Sequence, residues 1–425
     1  MSGRNLITVF EHQSIRFLKN DDSVLSEEQL KTLQSHYGSK GVSYYSLIHN
    51  GVRFNEYVGV IQVGNLTIEV LPKADNNPGG EDKWRNVLIG MLRAVGNFDV
   101  KSTSDANLKI QQNTILDLYF ELFIREVEYL LHNGLIKKYR KKQSNLNALK
   151  GNIQFGKHIQ LNVTHQEKFY VRHTTYDVEH TLHFILYKTI CLLKRINTNA
   201  NLQSRIGALL LHFPEMPDIK VTEATFKKLL FNRKNQSYKK AIDIAKLLLL
   251  RYHPDISSGR SSVLALMFDM NKLWEQFVYV SLRKQKDIGT ITAQYSKDFW
   301  KPESGTVSHL RPDIVINRDT DQCIVIDTKW KMLYGKNPSA DDLRQMYVYG
   351  EFYRAYKAAL VYPGNNNRIN SGNYFTLDIN ALSDKRCSFI EIKEPGSSIN
   401  NSSIVKEWQH YIQGTVKKYI YFNNI

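Results

Sequence analysis

The chain has 425 residues, enough for two or three domains with a sizeable core each, and its 42% hydrophobic and 23% charged content is ordinary for a soluble globular protein. Lys+Arg 57 against Asp+Glu 41 gives a net charge of +16, which favours polyanions through counterion release, nucleic acid first; the alternative is a basic protein with a solvated charged surface. Cys191, Cys323 and Cys387 follow no metal or redox spacing and exclude a disulfide framework. The first residues lack a signal peptide and the dense apolar run 247–250 is far too short for a bilayer, so the expectation is a cytoplasmic protein with no membrane segment.

In chain order, the first hundred residues are predicted to be rich in strand. Segments 57–63 and 66–71 flank Gly64 and Asn65, a two-residue hairpin turn. Leu66, Ile68 and Val70 alternate with Thr67 and Glu69, predicting one buried and one wet face. Residues 74–82 read as a loop, and Trp84, Val87, Leu88, Met91 and Leu92 then recur at helical spacing. A second helix is predicted over 114–131, ending near Asn133 and Gly134. Lys137, Lys138, Tyr139, Arg140, Lys141 and Lys142 follow. This basic cluster either grips phosphates, docks on an acidic partner or is a solvated loop.

A helical connector comes next, with Leu182, Ile185, Leu186, Thr189 and Ile190 on one helical face and Ile242, Ala245, Leu248 and Leu249 on another. His180 and His183 are spaced to share a ligand on a helix, but no third ligand follows at a recognisable spacing, so structural histidines are expected rather than zinc. No GxxxxGK[ST] loop and no serine or cysteine nucleophile elbow occurs.

The chemistry is concentrated near the C-terminal end. A helix with the stripe Leu273, Phe277 and Val280 is predicted over 261–284. Extended segments 310–318 and 322–329 then flank Asp319, Thr320 and Asp321, a hairpin signature. With those three residues as the loop, Asp313 lies opposite Asp327, and Val315, Val325 and Lys329 share their side. Ile314, Ile316, Ile324 and Ile326 point the other way; a register shifted by one residue would scatter them over both faces. Two carboxylates and one lysine thus converge, and Lys329 alone cannot neutralise both acids, so a divalent cation is the expected partner. Asp313, Asp327 and the main-chain carbonyl of Thr328 suit the oxygen shell of Mg²⁺, with Lys329 beside the attacking water. The plainer alternative is a strand-end ion pair of Asp327 with Lys329 and a turn cap at Asp313.

Ser339 and Asp342 predict a capping box for a helix running to about residue 356. Gln345 and Tyr349 lie on it, either as part of the site or as an ordinary polar face. A buried strand is predicted over 358–362, ended by Pro363 and Gly364. Strand, helix and strand imply a right-handed crossover and a mixed sheet. Beyond it, 374–377 and 388–392 are predicted edge strands, 395–403 a polar loop, and 405–413 a final helix capped by Gly414.

Pro312 and Asp313, followed by Asp327 and Lys329, resemble the PD-(D/E)xK nuclease signature, and Gln345 with Tyr349 resembles the QxxxY element of many such enzymes. Segments 310–315, 326–331 and 342–347, with 271–278 and 149–153 further upstream, are similar to the McrC family, endonuclease subunits of McrBC modification-dependent restriction systems. The resemblance implies an α/β fold with a C-terminal PD-(D/E)xK nuclease core, a mixed sheet flanked by helices, preceded by a β-rich N-terminal domain and a helical connector. The expected division is 1–165 for the N-terminal, partner-binding domain, 166–255 for the connector and 256–425 for the endonuclease domain. It further implies that Asp313 and Asp327 bind Mg²⁺, Lys329 positions water and Gln345 supports that arrangement. Glu275 matches the acidic residue that such nucleases place on their first helix, or is a surface glutamate. The implied partners are double-stranded, modified DNA and a hexameric AAA+ GTPase of McrB type that reads modified cytosine. Arg53, Arg85 and Arg93 are available to that partner, with no reason in the sequence to choose among them. The alternative function is a non-cleaving, basic DNA-binding or activating subunit that stimulates the partner GTPase.

Overall fold

Alternating β-branched residues on either side of a turn build the centre of a six-stranded mixed sheet. In the computed structural model, which describes residues 5–17, 25–38, 41–63, 66–72, 80–95, 115–253, 263–285, 287–376, 381–396 and 401–421, the spatial strand order is Ile291–Ala293, Ile314–Ile316, Ile324–Thr328, Lys357–Gly364, Leu382–Lys393 and Arg368–Phe375. Ile314 pairs with Ile326, Val315 with Val325 and Ile316 with Ile324, the register expected from the hairpin. The strand expected over 310–318 is shorter than that. Its start, Ser308–Leu310, pairs instead with Lys297–Trp300 in a separate two-stranded hairpin, and Asn317 and Asp319 leave the sheet at φ 51° and 60°. Pro312, which has no N–H for a ladder, marks the break between the two pieces.

Ile324–Thr328 and Lys357–Gly364 are parallel, joined by the helix Ala340–Tyr353. Val315, Val325, Met346, Tyr349 and Tyr353 share one buried cluster on that helix's side of the sheet. The helix stops at Tyr353, earlier than expected, because Arg354 adopts a left-handed cap at φ 49°. Leu382–Lys393, expected at an edge, lies inside the sheet between Lys357–Gly364 and Arg368–Phe375. The final helix, Asn401–Tyr421, runs through Gly414 rather than ending there; a Cβ at Gly414 would meet nothing within 4 Å.

The helix expected over 261–284 begins only at Met270, where Asp269 caps it by accepting from Asn271 N–H at 3.0 Å and Lys272 N–H at 3.2 Å. The apolar run before it, Val263–Asp269, is a strand. A short, continuously apolar run carries no period that separates the two structures.

In the N-terminal stretch, Leu66–Leu71 lies between Asn5–Phe10, parallel to it, and Tyr57–Val63, antiparallel to it. All six of its residues are buried, so the expected wet face is absent. Glu69 is buried because Arg85, on the helix Glu81–Val95, reaches it at 2.7 Å. That helix buries Trp84, Val87, Leu88, Met91 and Leu92 and packs on both Met270–Arg283 and Asn401–Tyr421. Four of the five tryptophans meet there: Trp274 lies 5.0 Å from Trp408 and 5.5 Å from Trp330, and Trp84 lies 6.3 Å from Trp330. Residues 1–109 and 267–425 therefore form one compact unit and 110–266 the other. The sequence reading divides the chain at 165 and 255 instead.

Within 110–266, the helices Ile115–His132, Thr181–Ile196, Ala200–His212 and Lys239–Arg251 form the body. The basic cluster is part of a strand, Lys138–Leu146, paired with Phe169–Asp177, and is not a loop. Gly151 sits at φ 78°, where a Cβ would lie 2.4 Å from the Arg172 carbonyl, which accounts for glycine there. His183 bonds Val178 O at 2.5 Å and Tyr238 Oη at 3.0 Å, and burial depresses its pKa to about 4. It is a structural histidine, as expected. No helix among the described residues is long and apolar enough to cross a membrane. The Gly64 and Asn65 turn, most of the 74–82 loop, Thr114, Ser261 and residues 397–400 lie outside the described residues.

Candidate active site

The hairpin register sets the site. Asp313 immediately precedes Ile314–Ile316, and Asp327 ends its partner strand, so both carboxylates stand at one end of the sheet. Lys329 Nζ lies 2.8 Å from Asp327 Oδ2 and donates to Gln345 Oε1 at 2.9 Å. Gln345 Nε2 donates to Tyr349 Oη at 2.9 Å and reaches Asp327 Oδ1 at 3.5 Å. Because the amide nitrogen is engaged by Tyr349, the carbonyl end is the one presented to Lys329. Gln345 and Tyr349 are one helical turn apart, which explains their spacing in the sequence.

Thr328 holds Asp313 rather than standing aside: its N–H and its hydroxyl each donate to Asp313 Oδ2 at 2.7 Å. Glu275, on the helix Met270–Arg283, joins the same electrostatic site. Burial, then the negative charge of Asp313 and that of Asp327, pushes its pKa up to about 7. Gln294 fixes it, with Nε2 2.7 Å from Glu275 Oε1, while the Gln294 N–H donates to the Asp313 carbonyl at 2.8 Å. Gln294 takes φ 48° to do both, a backbone region unusual outside glycine. No local pattern signals it, since the bridge exists only once two distant segments meet.

Asp342 is the other residue missed. Ser339 Oγ accepts from the Asp342 N–H at 3.2 Å, as a helix cap should, but the Asp342 carboxylate accepts from Lys331 at 2.6 Å and Tyr362 at 3.2 Å and lies 3.8 Å from Lys329. Burial works against the charge of Lys329, yet Asp327, Asp342 and Asp313 together outweigh it and raise its pKa. Burial raises the pKa of Asp327 and of Asp313, and for Asp327 the charge of Asp313 adds to it.

Asp327 is 3% exposed, and its Oδ2 lies 2.8 Å from Lys329 Nζ. One ammonium contact does not use all the lone pairs of a buried carboxylate. A buried carboxylate oxygen in this state fits a hard cation. Among the described residues no group of three or more His, Cys, Asp and Glu side chains is arranged to hold an ion. Two carboxylates do suit Mg²⁺, which completes its shell with waters and substrate oxygens.

A family model described as "McrBC 5-methylcytosine restriction system component" matches residues 52–363, which span Glu275, Asp313, Asp327, Thr328, Lys329 and Gln345. The chain belongs to the McrBC family. A search of curated proteins finds no match. Among solved structures, the chain is similar to one in an assembly from Thermococcus gammatolerans described as a half-complex of McrB AAA+ hexamers with bound McrC. That match has a TM-score of 0.69 at 18% identity, covering 97% of this chain and 100% of that one. A second structure, of the McrBC complex of the same organism, is matched at a TM-score of 0.48 and 20% identity, over 66% of this chain and 87% of that one. The first of these shares the fold with the McrBC-family chain described here.

Proposed function

We propose that the chain is the Mg²⁺-dependent endodeoxyribonuclease subunit of a McrBC-type restriction and anti-phage complex. It hydrolyses DNA phosphodiester bonds when assembled with a hexameric AAA+ GTPase of McrB type that recognises modified cytosine. The observation that carries this reading is the buried Asp327 carboxylate, paired with Lys329 and gathered with Asp313 and Gln345 at one end of a mixed sheet. Membership of the restriction family and likeness to an McrB and McrC assembly support it.

In this reading Asp313 and Asp327, with the Thr328 carbonyl, hold Mg²⁺, which supplies Lewis-acid polarisation of the phosphoryl group. Thr328 fixes the Asp313 carboxylate so that it does not reorganise during the reaction. Lys329, kept protonated by the surrounding acids and oriented by Gln345, holds the attacking water and faces the charge that develops on the phosphoryl oxygens. Glu275, with its pKa near neutrality, is suited to take the proton from that water, while the oxygen leaving in line takes a proton from solvent. The test is cleavage of plasmid DNA by the chain with its AAA+ partner, in Mg²⁺ and in EDTA, with Asp313→Asn alongside. Cleavage confined to Mg²⁺ and lowered by at least about a hundredfold in Asp313→Asn agrees with the proposal. Undiminished cleavage in EDTA contradicts it.

A further inference from the structure

The two-stranded hairpin that interrupts the expected strand has no task in the chemistry above. Lys297–Trp300 and Ser308–Leu310 pair only with each other and stand outside the six-stranded sheet. The hairpin nevertheless leads directly into Arg311, Pro312 and Asp313. Its base is fixed on the helix that carries Gln345. Tyr353 Oη reaches Tyr295 O at 2.5 Å and Leu310 O at 2.9 Å, Lys297 Nζ sits 4.9 Å above the Tyr353 ring, and Phe299 packs edge-on against Phe352 at 5.0 Å. Phe299 is thereby turned onto the helix, whereas Trp300, the next residue, is 60% exposed.

An indole left in water on an anchored arm is unusual, and here it is distinctive: the other four tryptophans pack against one another. Lys301 follows it and is exposed, as is Arg311 at the arm's foot. Asp298, two residues before Trp300, is paired with His309 at 2.9 Å, and Glu303, two residues after Lys301, is exposed. Trp300 pairs with Ser308, and the five steps of chain from Ser308 to Asp313 span at most about 18 Å. That is about five steps along one DNA strand.

We infer that this hairpin is a DNA-contacting arm, in which Trp300 stacks on bases of the substrate within about five base pairs of the scissile bond and Lys301 holds the adjacent phosphate. The inference rests on the nuclease reading, since it takes the occupant to be the DNA presented to Asp313 and Asp327. Exposed cations beside an aromatic face, on a chain of net charge +16, match a polyanion with stackable bases.

The test uses the full chain carrying Asp327→Ala, so that DNA is not cut, and a short fluorescein-labelled duplex. Anisotropy gives affinity, and because Trp330 is itself half-buried, the part of the tryptophan emission change that is lost in Trp300→Ala reports Trp300. The expected result is quenching on DNA addition that is clearly smaller in Trp300→Ala, with affinity falling about tenfold and largely restored by Trp300→Phe. Equal affinity in Trp300→Ala, or quenching of undiminished size in it, overturns the inference. So does a variant that binds DNA normally but assembles poorly with the AAA+ partner, which would make the arm a protein-docking surface. The nuclease reading stands or falls separately, on whether cleavage requires Asp327.

Discussion

At the scale of single residues, the site is a balance of charges in a partly dry place. Lys329 is drawn toward Asp327, Asp342 and Asp313, and Arg311 adds a second positive charge beside Asp313. Glu275 is the residue on which this balance is most easily measured. Its folded pKa, about 7, exceeds the 4.5 of an ordinary glutamate, so the folded state binds its proton more tightly than the unfolded chain does. The stability that Glu275 contributes is therefore complete below about pH 4.5 and is lost as pH rises through about 7. In EDTA, the melting temperature of the wild type relative to Glu275→Gln should fall across that window. A difference that stays flat with pH would show that Glu275 does not feel the two aspartates. The aspartates, lysine and glutamine were legible in the sequence because they sit at fixed spacings on one strand pair and one helix. Gln294 and the carboxylate role of Asp342 were not, because each depends on the approach of segments that spacing does not relate.

At the scale of elements, what the sequence predicts well is what alternation fixes. Ile314, Ile316, Ile324 and Ile326 allow one hairpin register, and that register is present. Val263–Asp269 shows the opposite case, since unbroken apolarity fits strand and helix equally. Glu69 shows a third: its polar side chain predicts a wet face, but Arg85 arrives from another element and lets it be buried. Helix packing also sets a requirement that propensity alone would reverse. Gly90 lies in the middle of Glu81–Val95, where alanine would normally improve a helix. A Cβ there would fall 1.9 Å from Val405 Cγ2 on Asn401–Tyr421. Gly90→Ala should therefore destabilise the protein by about 1–3 kcal/mol in denaturant melts, and Val405→Ala should recover part of the loss. A more stable Gly90→Ala protein would mean that the two helices do not pack this closely.

At the scale of the whole molecule, the first hundred residues and the C-terminal sheet belong to one unit, and this was the least legible feature of all. Linear order suggests an N-terminal domain that could be detached, but Trp330, the residue after Lys329, donates to Glu11 at 2.8 Å and packs on Trp84. The strand end that carries Lys329 is thus fastened by residues more than two hundred positions upstream, a juxtaposition that no local pattern encodes. The arrangement joins the segment proposed to meet a partner to the segment proposed to cut DNA, so whether the site is catalytic has to be asked of the assembled system. The decisive measurement is cleavage of cytosine-modified plasmid DNA in Mg²⁺ and GTP by the chain with its AAA+ partner, comparing wild type with Asp327→Ala while following GTP hydrolysis in the same tube. The account predicts that Asp327→Ala abolishes cleavage and leaves GTP hydrolysis by the complex intact. Cleavage that persists in Asp327→Ala would place the active site elsewhere and contradict it.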